Sequence, residues 1–241
     1  MIEIENLEKS FGAVRAVDGV SFRADDGRIT GLLGPNGAGK STTLRILYTV
    51  LRADGGSARV DGHDVAEAPL AVRRSMGVLP HGTGIYPRLT ARENIAYYGR
   101  LNGLRGAALA ARVDSLIEML EIEEFSERRA KGFSQGQRIK VALARSLVHD
   151  PRNVVLDEPT NGLDVMATRA LRELIRKLRA DGRCVLFSSH VMQEVAALCD
   201  DIVIIAHGRV VARGSPEALR AEMGQQDLEE VFVRAIERGA Q

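Results

Sequence analysis

The feature that most constrains this chain is a glycine-rich turn placed between a short apolar run and a helical pattern. The apolar run is Ile29-Thr30-Gly31-Leu32-Leu33, and helical periodicity extends from Ser41 to Leu51. The turn matches the pattern G-x-x-x-x-G-K-[ST], for which composition gives on the order of 0.004 chance matches in this chain. The sequence therefore predicts a strand, a glycine loop and a helix in succession.

This loop has the chemistry that binds a polyphosphate. Glycines let the backbone curl so that successive N–H groups point inward, and the N-terminus of the following helix adds the positive end of its dipole. Lys40 can reach the β and γ phosphates, and the Ser41 hydroxyl is placed to ligate Mg²⁺. The expected phosphate-binding residues are Gly34, Pro35, Asn36, Gly37, Ala38, Gly39, Lys40, Ser41 and Thr42.

Two adjacent acids follow a second apolar run, Val154-Val155-Leu156-Asp157-Glu158. An acidic pair on a surface loop is common, but here it stands at the carboxyl end of a buried strand, where open α/β sheets bind their ligands. We expect Asp157 to hold Mg²⁺ through water and Glu158 to polarise the water that attacks the γ-phosphate. The two carboxylates would then have separate roles.

Two further side chains give weaker signals. His190 ends the run Phe187-Ser188-Ser189-His190, and Phe11 stands before the second strand. A single His after a strand is more often structural, but its convergence with the loop and the acids favours a donor to the γ-phosphate. Phe11 could stack on an adenine ring, and the alternative is a Phe of the core.

Several short segments are apolar almost throughout, as expected of strands covered on both faces. They are Met76-Gly77-Val78-Leu79, Val154-Val155-Leu156, Cys184-Val185-Leu186-Phe187 and Ile202-Val203-Ile204-Ile205. Near the N-terminus, apolar and polar residues alternate instead, which indicates antiparallel strands with one solvated face. The pattern predicts an α/β fold with a mostly parallel sheet and an N-terminal antiparallel β subdomain.

The chain is expected to be one domain with an insertion. A core of residues 1–81 and 150–215 is interrupted by a helical insertion over 82–149, where apolar residues recur at helical spacing. Helices are expected over 216–241, the first opened by Pro216. Leu228, Val231, Phe232 and Ala235 form an apolar stripe there, and the simplest expectation is that it packs on the protein itself.

Charge, cysteine content and hydropathy exclude several classes. Lys and Arg number 33 against 32 for Asp and Glu, and the charges are interspersed, so no nucleic-acid partner is expected. Cys184 and Cys199 lack metal-ligand spacing, which predicts buried reduced thiols. We find no apolar run of the roughly 20 residues that a bilayer-spanning helix needs, and no secretory signal at the start. A cytoplasmic protein is therefore expected.

The order of the motifs resembles that of an ATP-binding cassette (ABC) transporter ATP-binding subunit. The phosphate-binding loop is followed by Phe133-Ser134-Gln135-Gly136-Gln137-Arg138, then Leu156-Asp157-Glu158-Pro159-Thr160, then Asn161-Gly162-Leu163-Asp164, and finally Ser189-His190. The segment that begins at Ser134 resembles the family's signature, and its interval from Asp157 separates this family from other phosphate-loop ATPases. The resemblance covers nearly the whole chain.

The resemblance implies an ATPase with P-loop NTPase architecture that uses ATP and Mg²⁺. It also implies a homodimer in which each nucleotide lies between one phosphate-binding loop and the other subunit's signature. By this resemblance Ser134, Gly136 and Gln137 would contact the γ-phosphate held by the partner's Lys40, and Asp164 would contact the partner subunit. The local pattern agrees, because Ser134 stands where a helix N-cap should be.

Two positions depart from the family's usual pattern. His81 stands where the family has a Gln that contacts Mg²⁺ and links to the membrane subunit, and Gln135 stands where the signature usually has Gly. Magnesium prefers oxygen ligands, so a water-mediated or mechanical role is expected for His81. The stretch from His81 to Leu101 is the expected coupling surface.

The resemblance is to the stand-alone cassettes of ABC-2 type exporters, within which the chain is similar to the NatA-like subunits of sodium exporters. It implies a separate transmembrane permease and a peripheral position on the cytoplasmic face of the cell membrane. The alternatives are an exporter ATPase for drugs or lipids, an ATP-switched interaction module without transport, and a weakly hydrolysing cassette that needs an active mate.

Overall fold

A computed structural model describes residues 1–82 and 84–239, which form two β-sheets with helices around them. Residue 83, within both the expected coupling surface and the insertion, and residues 240–241, at the end of the expected C-terminal helices, lie outside this description. The strands are β1 Ile2–Phe11, β2 Val14–Ala24, β3 Ile29–Leu33, β4 Gly55–Val60, β5 His63–Asp64, β6 Met76–Leu79, β7 Asn153–Asp157, β8 Cys184–Ser189, β9 Asp201–Ala206 and β10 Arg209–Gly214. The helices are α1 Lys40–Leu47, α2 Pro69–Ser75, α3 Ala91–Leu101, α4 Gly106–Met119, α5 Gln135–Leu147, α6 Val165–Ala180, α7 Met192–Leu198, α8 Pro216–Met223 and α9 Leu228–Gly239.

The larger sheet has the strand order β10-β9-β3-β8-β7-β6. Every neighbouring pair in it is parallel except β10 with β9, which confirms the predicted mostly parallel sheet. Strand β8 lies between β3 and β7. The phosphate-binding loop after β3, His190 after β8 and the two acids at the end of β7 therefore meet at one edge of the sheet.

Alternate residues of the larger sheet point into two different hydrophobic cores. In β7, Val154 and Leu156 pack into a core shared with the helical insertion and the C-terminal helices. Val155 packs into the other core, which contains the smaller sheet and α1. Burial on both faces explains why these strands are apolar throughout.

The smaller sheet is antiparallel, with the order β2-β1-β4-β5. Alternation along β1 and β2 predicted their solvated face, and the N-terminal antiparallel subdomain is confirmed. The sequence patterns did not indicate β4, β5 or β10. Strand β4 begins with two glycines, and β10 lies antiparallel at the edge of its sheet with partly exposed side chains.

Helix α1 ends at Leu47, although the sequence pattern extended it to Leu51. Thr49 has a φ of 65°, which a helix cannot accommodate. The Arg73 guanidinium on α2 donates from Nε to the Thr49 hydroxyl at 2.6 Å and from Nη2 to its carbonyl oxygen at 3.2 Å. This contact between distant parts of the chain stabilises the turn that ends the helix.

Helices α3, α4 and α5 occupy the segment between β6 and β7, and α8 and α9 follow β10. On α9, Leu228, Val231 and Ala235 are buried in the core that also contains the insertion. The predicted packing of this stripe on the protein itself is confirmed.

Both cysteines are buried and unpaired, as predicted. Burial raises the pKa of the Cys184 thiol to about 12 and raises that of Cys199 as well. Within residues 1–82 and 84–239, we find no helix with the length and apolar character needed to cross a membrane.

Candidate active site

A cavity of about 720 Å³ opens at the carboxyl edge of the larger sheet, and we call it the loop cavity. It is lined by Phe11, Ala16, residues 35–42, Arg45, His81, Glu158, Asn161 and His190. The fold thus brings Phe11, Glu158 and His190 to the predicted phosphate-binding loop. Sequence reasoning missed Ala16, Arg45 and Asn161 as lining residues.

Two glycines shape the loop because no side chain would fit at their positions. A Cβ at Gly34 would lie 2.3 Å from the carbonyl oxygen of Ile205. Gly39, the N-cap of α1, has a φ of 105°, and a Cβ there would lie 2.4 Å from the carbonyl oxygen of Ala16. The close backbone contacts allow the loop to curl in front of the helix N-terminus.

Lys40 begins α1, and its ammonium group is held inside the loop. Nζ donates to the carbonyl oxygens of Gly34 at 2.6 Å and Pro35 at 3.2 Å. It also lies 3.5 Å from Oε1 of Glu158. The loop thus holds a buried cation at the position expected for phosphate recognition.

Asp157 offers an oxygen site suited to a magnesium ion. Its Oδ1 accepts hydrogen bonds from the hydroxyls of Ser41 at 3.1 Å and Ser188 at 2.7 Å. Its Oδ2 is buried and has no hydrogen-bond partner among the described residues. An unpaired buried carboxylate oxygen is costly, and Mg²⁺ prefers oxygen donors, so these residues fit the ion.

Glu158 and His190 are in direct contact at the end of the cavity. Nδ1 of His190 lies 2.7 Å from Oε2 of Glu158. The backbone of Glu158 has a φ of 52°, and its N–H donates to the Ser188 hydroxyl at 2.9 Å. This left-handed conformation is uncommon outside glycine, and such residues concentrate at functional sites.

Phe11 lines the loop cavity with its side chain 49% exposed. The alternative interpretation, a Phe of the hydrophobic core, is therefore wrong. Lys9 lies over one face of the ring, 5.7 Å from its centroid. The ring is accessible to a flat ligand at the cavity mouth.

Ser134 is the N-cap of α5, as its position in the sequence predicted. Its hydroxyl accepts from the N–H of Gln137 at 3.2 Å, and the Gln137 side chain accepts from the N–H of Ser134 at 3.1 Å. Asp164 caps α6 in a similar way. Ser134, Gly136, Gln137 and Asp164 are not among the described residues that line the loop cavity.

His81 and Gln135, the two departures from the family pattern, lie in different surroundings. His81 is exposed and lines the loop cavity. Gln135 is exposed in the first turn of α5, with its side chain near Gly162. Only the first of these substitutions therefore bears on the cavity itself.

A second cavity, also of about 720 Å³, lies between the insertion and the core, and we call it the insertion groove. It is lined by Tyr48, Leu70, Val72, Arg73, Arg74, Met76, Val78, Pro80, Tyr98, Leu101, Asn102, Gly103, Ala142, Arg145, Ser146 and His149. None of these described lining residues is acidic. Tyr48 comes directly after α1, so the same helix borders both cavities.

Comparison with known proteins agrees with this arrangement. The sequence profile of the ABC transporter family matches residues 17–161. The chain is 43% identical to the ABC transporter ATP-binding protein NatA of Bacillus subtilis over 94% of this chain and 92% of that protein. It is 38% identical to the Nod factor export ATP-binding protein I of Paraburkholderia xenovorans, with 96% and 76% covered. It is 40% identical to the daunorubicin/doxorubicin resistance ATP-binding protein DrrA of Streptomyces peucetius, with 94% and 69% covered.

Solved structures give the same result. An ATP-binding subunit of an ABC transporter superposes with a TM-score of 0.90 at 29% identity, covering 98% of this chain and 99% of that chain. A dimeric ATP-binding cassette in a post-hydrolysis state, bound to ADP and Pi, superposes with a TM-score of 0.81 at 25% identity, covering 89% and 98%.

Proposed function

This chain belongs to the ABC transporter family as an ATP-binding ATPase subunit that powers a separate exporting permease, and from that premise we propose how its residues divide the work. ATP binds in the loop cavity with its phosphates in the curl of the loop. Lys40 contacts the β and γ phosphates, Thr42 adds a donor, and Phe11 stacks on the base.

The contact between Glu158 and His190 is the observation that carries the assignment of hydrolysis. Glu158 accepts a proton from the attacking water while the water oxygen bonds to the γ-phosphorus. The bond from that phosphorus to the oxygen bridging the β and γ phosphates breaks, and ADP leaves with its electron pair. The contact of Nδ1 with Glu158 orients the His190 ring, and the other ring nitrogen of His190 donates to the γ-phosphate.

Asp157 and Ser41 would hold Mg²⁺ in this site. When bound, the ion neutralises charge on the β and γ phosphates. The unpaired Oδ2 of Asp157 supports this assignment, because it is a buried carboxylate oxygen without a donor among the described residues.

We propose that two copies pair head to tail, because the signature residues lie outside the loop cavity of their own chain. The γ-phosphate at the partner's Lys40 is then contacted by Ser134, Gly136 and Gln137 of the other copy.

The start of α6 exposes two apolar side chains, Val165 and Met166, directly after Asp164. Their exposure supports burial of this face in a dimer.

The insertion groove is the proposed docking site for a segment of the permease. Leu70 is 66% exposed on one side, and Leu101, the last residue of the expected coupling stretch, is 64% exposed on the other. Large exposed leucines beside a concave surface favour a partner protein. Docking there would place the chain peripherally on the cytoplasmic face of the membrane.

The proposed cargo is Na⁺, because the sequence resembles the NatA-like subunits of sodium exporters and is 43% identical to NatA. The relatives named for Nod factor export and daunorubicin resistance make lipid-like and drug-like cargoes the second candidate. Transport assays with the co-purified permease, comparing sodium with a drug and a lipid, distinguish these cargoes. An interaction module without transport would move none of them.

The central experiment replaces Glu158 by Gln. We expect the ATPase kcat to fall at least about a hundredfold, since general-base catalysis contributes rate factors of this order. ATP should still bind and should be trapped in a stable dimer, measured by size-exclusion chromatography. Glu230→Gln, on the exposed face of α9, is the matched control. Equal hydrolysis by Glu158→Gln and wild type would refute the role given to Glu158.

A further inference from the structure

Glu194 on α7 is a buried carboxylate that none of the sequence motifs or proposed roles uses. It is 6% exposed. Its Oε2 accepts hydrogen bonds from the hydroxyl of Thr160 at 2.6 Å and from the hydroxyl of Ser189 at 3.1 Å. Burying a carboxylate is costly unless it is hydrogen-bonded, so these two contacts are what stabilise Glu194 in place.

The two donors belong to the two segments that carry the reacting pair. Thr160 lies two residues after Glu158, in the turn that follows β7, and Ser189 directly precedes His190 at the end of β8. A single oxygen of Glu194 therefore joins both segments at the point where each leaves the sheet.

Ser189 also fixes the backbone on the far side of His190. Its hydroxyl accepts from the N–H of Val191 at 2.9 Å. Since a serine hydroxyl has one proton, the proton of Ser189 is the one directed at Glu194. The backbone on both sides of His190 is thus linked to the carboxylate.

We propose that Glu194 is a positioning residue for ATP hydrolysis: it holds the segments after β7 and β8 so that Oε2 of Glu158 and Nδ1 of His190 stay within hydrogen-bond distance. The inference rests on the proposed roles of Glu158 and His190. Rates depend steeply on such alignment, and a displacement of about 1 Å can cost about a hundredfold.

The test compares Glu194→Ala with Glu194→Gln. The Ala variant loses both contacts, and we expect kcat to fall at least tenfold while the dissociation constant for ATP stays within twofold. The Gln variant keeps a neutral acceptor, and neutral acceptors form weaker hydrogen bonds than carboxylates, so it should recover part of the rate. Glu173→Ala, at an exposed position of α6, is the control and should keep the wild-type rate.

A double-mutant cycle separates positioning from a general loss of stability. In a His190→Ala background, Glu194→Ala should lower kcat by less than twofold, because the contact between Glu158 and His190 that it maintains is already lost. If the full tenfold loss persists there, or if Glu194→Ala hydrolyses ATP within twofold of the wild-type rate, the proposal is overturned.

Two further variants keep the test decisive if Glu194→Ala does not fold. Thr160→Val and Ser189→Ala each remove one hydrogen bond to Glu194, and each should lower kcat at least threefold with unchanged ATP affinity. Wild-type rates in both variants would overturn the proposal. Active Glu194 variants beside an inactive Glu158→Gln would reject this inference alone, whereas an active Glu158→Gln would reject the proposed function beneath it.

Discussion

The loop cavity and the insertion groove have the same volume, about 720 Å³, but they are built in opposite ways. Most of the loop cavity comes from one continuous stretch, residues 35–42. The groove is assembled from α2, α3, α5, β6 and the residue after α1, which are far apart in the chain. The phosphate-binding loop is therefore encoded locally, whereas the groove, the proposed docking surface, exists only after the whole domain has folded.

Their electrostatics differ as well. The loop cavity is lined by side chains of both charge signs: Lys40 and Arg45 are basic, and Glu158 is acidic. The described lining of the groove has arginines without an acid, and the guanidinium of Arg145 lies 3.8 Å from the centre of the Tyr98 ring. Burial lowers the pKa of Arg145. The first surface suits a polyphosphate with a metal ion, and the second suits a protein segment.

The largest expected effect tests the local encoding of the loop cavity. In Gly39→Ala the new methyl group would meet the carbonyl oxygen of Ala16, so we expect ATP affinity to fall at least tenfold, measured by isothermal titration calorimetry. Gly37→Ala is the matched control, because Gly37 also has a positive φ but a Cβ there meets nothing within 4 Å. The ATP affinity of Gly37→Ala should fall only by the cost of a positive φ in a residue with a side chain, about 1 kcal/mol. Equal losses of ATP affinity in the two variants would mean that the positive φ, and not the close contact with the Ala16 carbonyl, is what requires glycine in the loop.

The next effect concerns the groove alone. Leu70→Asp should lower transport by the assembled pump at least tenfold, because burying an unpaired carboxylate in an apolar contact with the permease costs free energy. ATP affinity of the isolated chain should stay within twofold. Val50→Asp is the control, since Val50 is equally exposed, at 66%, but does not line the groove. If both variants transport alike, the permease docks elsewhere.

A smaller effect depends on His149 in the groove wall. Burial, followed by the nearby charge of Arg112, lowers the pKa of His149 from its usual 6.5, and its Nδ1 is buried without a partner among the described residues. The unfolded chain then takes up a proton near pH 6.5 that the folded chain does not. Stability from this group is present above that pH and is lost as the pH falls below it.

We therefore expect His149→Gln to reduce the fall in Tm between about pH 7.5 and about pH 5.5, by about 2 °C. Thermal unfolding followed by circular dichroism at several pH values measures this. An identical fall in the wild-type protein and in His149→Gln would contradict the burial argument.

The smallest effect is expected at His81. Because this exposed side chain lines the cavity and is expected to act through water or mechanically, His81→Gln should keep or slightly raise the ATPase rate. A steady-state ATPase assay measures the rate. Loss of nucleotide binding in this variant would show that His81 itself contributes to binding ATP.

The parts of the fold that sequence patterns predicted are those where burial dominates. Strands β3 and β6 to β9 are apolar on both faces, and this leaves a signal that periodicity detects. Strand β4 has two glycines and exposed alternate residues, so its pairing with β1 depends on the partner strand. The end of α1 depends on Arg73 reaching Thr49, a contact that no local pattern contains.

The site residues likewise fall into those that local sequence patterns predict and those that depend on the folded protein. Lys40, Asp157 and Glu158 stand in continuous motifs at strand ends, so their convergence could be predicted. Arg45 reaches the loop cavity because it lies about one helical turn beyond Ser41, a relation that periodicity alone could have suggested. Glu194 offers no such signal, because its partners, in the turn after β7 and at the end of β8, meet only in the folded protein.

The shared helix α1 has a mechanical consequence. It is 8 residues long, which corresponds to about 12 Å, with the phosphate-facing Lys40 at one end and Tyr48 of the insertion groove directly after the other. A rigid rod of that length that tilts by about 5° moves its far end by about 1 Å. The proposed ATP site and the proposed docking groove are thus joined by one short helix, with no loop between them that could absorb its movement.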